Sequence, residues 1–248
     1  MPNWVFNTLT IQGPKEQVDS IKDRLNTPYV KKHDQWNMET QQMEIKEYQY
    51  SNPVFAFHNI YNHIEDGVTE EQYLAQPPRQ LDVALAFSTN DWYSWNVRNW
   101  GTKWDVSVGD DNKYPDTELL EHTSEGEDQW LVYRFNTAWS PPAPAMEKLS
   151  ALVPNCVLTL EFEEETGWGG EYEFVKGELT AESSYENKCR DCDEEDTLEY
   201  CENDCGEICN SCHYLGEADL ECVAECDTHK VFLTSEYVPD YRMEEVNG

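Results

Sequence analysis

Basic side chains are scarce in this chain: 17 Lys and Arg stand against 50 Asp and Glu, a formal net charge of −33. The shortage is uneven, with 12 bases and 23 acids in residues 1–160 but 5 bases and 27 acids in residues 161–248. Nucleic-acid binding draws on clustered Lys and Arg that displace counterions from phosphates, so direct binding of DNA or RNA is disfavoured. The same field repels an anionic membrane surface and attracts basic partners. Also missing is any stretch near the roughly 20 apolar residues that span a bilayer. The opening Met1-Pro2-Asn3-Trp4 lacks the basic and apolar segments of a secretory leader, so the expected address is the cytoplasm. Signatures of catalysis are absent too: there is no G-x-S-x-G, no Walker P-loop and no H-E-x-x-H, and enzymatic activity is not the favoured reading.

What is present is an aromatic load, 12% of residues including nine Trp and fourteen Tyr. Such side chains offset the conformational entropy that keeps polar chains disordered, so the chain is expected to fold. Residues 4–12 are β-branched and aromatic and read as a strand that Gly13-Pro14 stops. Val18, Ile21 and Leu25 fall at helical spacing over 15–26. Residues 28–50 show no clear period and read as a long loop or insertion. Val54–Phe57 reads as a short buried strand, and Pro77-Pro78 mark a loop. The segment 81–87 suits either helix or strand. Asn90 or Asp91 can cap a short helix over the Trp-rich run from Trp92, and Gly101 can end it. Lys103–Val108 and Trp130–Thr137 read as strands around an acidic loop, 109–129. Pro141-Pro142 opens a helix carrying Met146, Leu149 and Leu152, and Pro154 closes it. Val157–Glu163 and Tyr172–Leu179 form a last pair of strands. This order predicts an α+β sandwich, an antiparallel sheet with helices on one face, over residues 1–184.

Eight of the nine cysteines lie within residues 189–226, in four pairs: Cys189/Cys192, Cys201/Cys205, Cys209/Cys212 and Cys222/Cys226. The halves read C-x2-C-x8-C-x3-C and C-x2-C-x9-C-x3-C, so 185–230 is expected to be a small module, followed by a return strand and tail over 231–248. A two-residue gap lets one turn aim two sulfurs at an ion about 2.3 Å away, and four thiolates complete zinc's tetrahedron. Two structural zinc ions are therefore expected, each contributing roughly 10–16 kcal/mol to folding a segment too polar to build a core. Sequential and cross-braced pairing both fit. Disulfides would also explain an even count, and an iron–sulfur cluster also uses four thiolates, but the expected compartment and the regular pairs favour zinc. Cys156 stands apart as a small core residue.

Other constellations carry less. His58, His63 and Asp66 can be drawn as a metal site, yet a spacing of five puts the histidines off a common helical face, which favours surface accident. Trp92, Trp95, Trp100 and Trp104 either line a groove or plug the sheet–helix interface; core is favoured because Trp buries a large area, and Trp139 is read the same way.

Four segments look familiar together. Met1-Pro2-Asn3-Trp4-x-x-Asn7-x-Leu9-Thr10-x-x-Gly13, Trp95-x-x-x-Asn99-Trp100-Gly101-Thr102-Lys103-Trp104-Asp105, Thr137-Ala138-Trp139-Ser140-Pro141-Pro142 and Glu164-Glu165-Thr166-Gly167-Trp168-Gly169-Gly170 resemble the YubB ferredoxin-like family, carried by bacteriophages and plasmids. The resemblance covers about residues 1–180 and excludes the cysteine module. It implies a ferredoxin-like fold (no iron–sulfur cluster is meant) and expression in a bacterial host's cytoplasm, and it supplies no catalytic residues.

The resulting expectation is a non-enzymatic, acidic phage or plasmid protein that binds a basic or nucleic-acid-binding host protein. One version is a DNA mimic or anti-defence factor. The alternatives are an enzyme or small-ligand binder using Asn99, Lys103 and Asp105 within 92–105, and a structural or assembly component for which acidity is only solubility.

Overall fold

The computed structural model describes residues 3–75, 89–110 and 117–187, and the backbone of 198–200 and 207–209. The chain divides into two units: residues 1–165 with 170–183, and residues 166–169 with 184–248.

In the first unit, β1 (Trp4–Pro14) alternates buried and exposed positions along its length. Val5, Leu9 and Ile11 point to one face, and α1 (Lys15–Leu25) covers it with Val18, Ile21 and Leu25, the apolar positions expected. Beyond residue 117 come β4 (Glu118–Glu125), β5 (Asp128–Ala138), α5 (Ala143–Leu152), β6 (Val157–Glu164), β7 (Gly169–Val175) and β8 (Glu178–Tyr185). The sheet order is β4-β5-β1-β6-β7-β8. β1 runs antiparallel to both neighbours, so β5 and β6 are mutually parallel and the crossover through α5 straddles β1. Two such interleaved crossovers make the ferredoxin-like arrangement, with β7 and β8 extending one edge. Leu131, Tyr133 and Phe135 of β5 and Leu158, Leu160 and Phe162 of β6 join β1 under Met146 and Leu149 of α5. Each such side chain contributes about 1.5–3 kcal/mol by leaving water.

Close approach explains one glycine. A Cβ on Gly13 would lie 2.7 Å from the Cys156 sulfur and 2.9 Å from its Cα, so only a bare backbone passes. Cys156 is buried here, as expected of a core residue, and burial pushes its thiol up to about 11.

Several local expectations are corrected. Residues 28–50 are not a loop: β2 (Tyr29–Asn37) and β3 (Gln42–Tyr50) pair residue by residue. The hairpin left no periodic signal because most of β3 is exposed on both faces. Val54–Phe57 is not a strand; Phe55, Ala56 and Phe57 are buried, and Phe57–Ile60 forms a short helix, α2. A second short helix, α3 (Glu70–Tyr73), carries a capping box from Thr69 and Gln72. Lys103–Val108 is irregular, because remote side chains take the place of a ladder: Asn96 donates to the Lys103 carbonyl at 2.8 Å, and the Thr117 hydroxyl donates to that of Val106. The expected acidic loop contains β4, an exposed edge strand. Tyr172–Leu179 straddles the turn between β7 and β8, where Lys176 and Gly177 both take positive φ, 55° and 87°, the pattern of a tight hairpin. The segment 81–87 and the loop at Pro77-Pro78 lie outside the described residues.

The Trp-rich helix α4 (Trp92–Trp100) has the expected ends. Asp91 accepts from the Tyr93 and Ser94 amides at 3.1 Å, and Gly101 closes the helix at φ 80°.

In the second unit, β9 (Leu198–Tyr200) pairs antiparallel with β10 (Glu207–Cys209). Of the eight expected zinc ligands, Cys209 is described by its backbone in β10, whereas Cys189, Cys192, Cys201, Cys205, Cys212, Cys222 and Cys226 lie outside the described residues.

Candidate functional site

The first three segments that carry the resemblance meet at one end of β1, and so do Glu164 and Glu165 of the fourth: Glu164 pairs with Val5, and the Glu165 amide donates to the Trp4 carbonyl at 3.1 Å. The Asn7 side chain, on the buried face, donates to the Val5 carbonyl at 2.8 Å and to the Thr137 hydroxyl at 2.9 Å. Thr137 in turn donates to the Ser140 carbonyl, and the Ser140 hydroxyl donates to the Gly101 carbonyl at 2.6 Å. Thr102 and Ala138 exchange hydrogen bonds through the Thr102 hydroxyl, both at 3.1 Å. The Trp139 amide donates to the Asn3 carbonyl at 2.9 Å. This web holds Trp139 at φ 69°, a left-handed conformation that costs a side-chain-bearing residue about 1–2 kcal/mol.

The product is an aromatic cage around Lys103. Its ammonium lies 4.4 Å from the ring centre of Trp104, 5.1 Å from Trp139, 5.8 Å from Tyr93 and 5.9 Å from Trp92. Trp104 stacks on Trp139 at 6.3 Å and tilts against Trp4 at 6.1 Å. Burial against these rings lowers the Lys103 pKa, and among the described residues it makes no ion pair. Ring quadrupoles stand where a carboxylate would otherwise be found. The cage is open to solvent: Trp104 is 40% exposed and Trp139 45%, as is Phe6 at 48%, which shares Trp4's face of β1. Next to Phe6 on that face, cross-strand registers bring Asn136 and Glu163 alongside, then Arg134 and Glu161 alongside Thr8. Arg134, the base of that row, already pairs with Glu118 at 2.6 Å.

A second, buried cluster is organised by Asp105. Its carboxylate accepts the amides of Phe57 at 2.8 Å and His58 at 3.1 Å, capping α2, and takes the Tyr29 hydroxyl at 3.3 Å. Tyr29 also bonds Ser107, and its ring lies between Tyr50 at 4.5 Å and His58 at 4.1 Å. Burial and then Asp105 raise the Tyr29 pKa well above the ordinary phenol range. Lys31 sits 4.9 Å from the Trp100 ring and 5.4 Å from that of Tyr73. Burial opposes its charge, but the Tyr73 hydroxyl and the Asp105 carboxylate outweigh that and raise its pKa. Burial, with Lys31 nearby, pushes His33, His58 and His63 down to about 4. His63 stacks on Tyr73 at 4.0 Å, and its Nε2, like Nδ1 of His58, is buried without a hydrogen-bond partner among the described residues.

The expected sites fare unequally. Trp95 and Trp100 are core as favoured, whereas Trp104 and Trp139 are not. Asn99, Lys103 and Asp105 do not converge: Asn99 bonds the Trp95 carbonyl at 3.1 Å, and Asp105 serves the buried cluster. His58, His63 and Asp66 form no metal site, since Asp66 accepts from Tyr61 and the Trp95 indole, both at 2.8 Å. His63 is nonetheless buried, not on the surface as expected. Among the described residues no group of three or more His, Cys, Asp or Glu could hold a metal ion, and no helix is long and apolar enough to cross a membrane. The roles of Trp4, Lys31 and Tyr29 were missed; a lone aromatic or lysine in a strand has no sequence signal that separates these roles from ordinary packing.

Residues 120–202 match the family model of the ferredoxin-like domain in Api92-like proteins. Over that span the chain is similar to Api92-like proteins. The matched span runs from β4 through β8 and reaches β9. The crystal structure of protein api92 from Yersinia pseudotuberculosis aligns with 76% of this chain and 100% of its own, at 12% identity and a TM-score of 0.37. Among curated proteins nothing matches.

Proposed function

We propose that this chain is a non-enzymatic binding protein that docks on a basic surface of a partner protein. The observation that carries the reading is the exposure of the aromatics Phe6, Trp104 and Trp139, with the exposed Glu161 on the same sheet face as Phe6, in a chain of net charge −33. Aromatic anchors within a charged rim are the composition of a protein-binding patch. The acidic field speeds encounter with a basic partner and repels nucleic acid. In the fuller form of the proposal the chain is a phage or plasmid product acting in a bacterial host's cytoplasm. Its partner there is a nucleic-acid-handling protein whose basic groove it occupies as a DNA mimic.

Capture from bacterial lysate tests this with three arms: low against high salt, with and without duplex DNA, and with Trp104→Ala/Trp139→Ala against wild type. A partner that is retained roughly tenfold better at low salt, and lost from the double variant, is the expected result. Displacement of that partner by DNA supports mimicry, and indifference to DNA removes it. Capture unaffected by both salt and the double variant sinks the docking face.

We also propose that Cys189, Cys192, Cys201, Cys205, Cys209, Cys212, Cys222 and Cys226 hold two structural zinc ions. The duplicated spacing supports this. Metal analysis of the purified chain should find about two zinc per chain, and a chain containing none, with its thiols titrating as free, refutes it.

A further inference from the structure

The cage around Lys103 has properties that a packed core does not need. Two of its rings, Trp104 and Trp139, are large and exposed, with Trp92 and Tyr93 half-buried beside them, and Trp139 is held in a left-handed backbone conformation by its amide's bond to the Asn3 carbonyl and by the Thr137–Ser140–Gly101 web. Four ring centres stand within 5.9 Å of one ammonium, a geometry that recognises cations through the ring quadrupoles. The occupant is tethered only loosely. Asn96 fixes the Lys103 carbonyl at 2.8 Å, while the side chain beyond it has four rotatable bonds and no ion pair among the described residues. A chain of net charge −33 gathers cations around it, not anions.

We infer that the cage is a receptor for the side-chain ammonium of a lysine on a partner protein, and that Lys103 occupies it as an intramolecular stand-in until that lysine arrives. The inference rests on the docking reading for the source of the lysine. Lys103 keeps the aromatic surface filled and suppresses weak or adventitious cations, because a tethered competitor acts at an effective concentration on the order of millimolar. Arrival of the partner's lysine releases Lys103 toward solvent, where the acidic field favours it.

The test is a titration of the ¹⁵N-labelled full chain with Nα-acetyl-lysine methylamide, following the tryptophan indole resonances. The uncharged norleucine analogue serves as control. In Lys103→Ala the Trp104 and Trp139 indoles should shift saturably, at roughly tenfold lower probe concentration than in wild type. Neither should shift with norleucine, and the Trp95 indole, held by Asp66, should stay still. Lys103→Ser replaces the alanine variant should the latter fail to fold. No saturable shift in the Lys103 variants, equal affinity in variant and wild type, or equal response to norleucine each overturns the inference. The probe is a small molecule, so its failure leaves the docking face standing. Probe binding together with partner capture that survives Trp104→Ala/Trp139→Ala overturns the partner's lysine as the occupant.

Discussion

Acidification from pH 7.5 to 5 should strip this fold of a large part of its stability, and three histidines set the amount. His33, His58 and His63 are held down to about 4, chiefly by burial, against 6.5 in an unfolded chain. The unfolded chain therefore takes up protons first. Stability is complete above about pH 6.5 and is lost as pH falls toward 4. At pH 5 an unfolded histidine is almost fully protonated and a buried one scarcely so, which costs about 2 kcal/mol per residue. His58 feels the charge of His63 and all three feel Lys31, so their costs do not simply add, but even one is a sizeable share of the whole stability of many domains, about 5–15 kcal/mol. Carboxylates with lowered pKa, such as Asp66 and Asp110, lose their contribution only below about 4. Cysteine thiolates bound to metal would titrate in the same window, so the decisive quantity is a difference between chains. His63→Phe keeps the stack on Tyr73 and removes a buried nitrogen that has no partner among the described residues. Urea unfolding followed by Trp fluorescence, at pH 7.5, 6.5, 5.5 and 5, should show the wild type losing about 2 kcal/mol more than His63→Phe across that range. Equal losses in the two chains would refute the argument.

Two further outcomes follow from single contacts. Asp105→Asn keeps the shape but removes the charge that receives three amides, of Phe57, His58 and Val106, and the Tyr29 hydroxyl; it should cost about 1.5–3 kcal/mol in the same urea assay at pH 7.5. Gly13→Ala drives a methyl into the Cys156 sulfur and backbone, with an expected loss of about 1–3 kcal/mol; partial recovery in Gly13→Ala/Cys156→Ala is not expected, because the Cys156 Cα remains in the way.

How legible the fold was depended on which forces shape each element. β1, α1 and α4 were readable because burial of one face imprints a period, and because Asp91 and Gly101 carry their end-chemistry in their own side chains or lack of one. The β2–β3 hairpin was not, since its strands are held by backbone pairing with little apolar burial and so impose no alternation. Lys103–Val108 misled in the opposite way. Its β-like composition serves burial of Val106 and the reach of Asp105, while its carbonyls are satisfied by Asn96 and Thr117. The site was half legible. The motif segments marked the place, but Trp95 and Trp104 are the same residue type in one short stretch. Only the web that turns Trp139 outward decides which rings face water.

The position of β1 in the sheet sets a timetable for synthesis. Its two neighbours, β5 and β6, begin at Asp128 and end at Glu164, so β1 is made more than a hundred residues before either strand that flanks it. At about 5–20 residues per second, a nascent chain carries β1 unpaired on both edges for on the order of 10 seconds or more. Asn7, Thr8 and Thr10 interrupt its apolar run, and that moderates its tendency to pair with neighbouring chains during the wait. Asn7, a structural anchor in the finished protein, thus also serves as a safeguard during its manufacture.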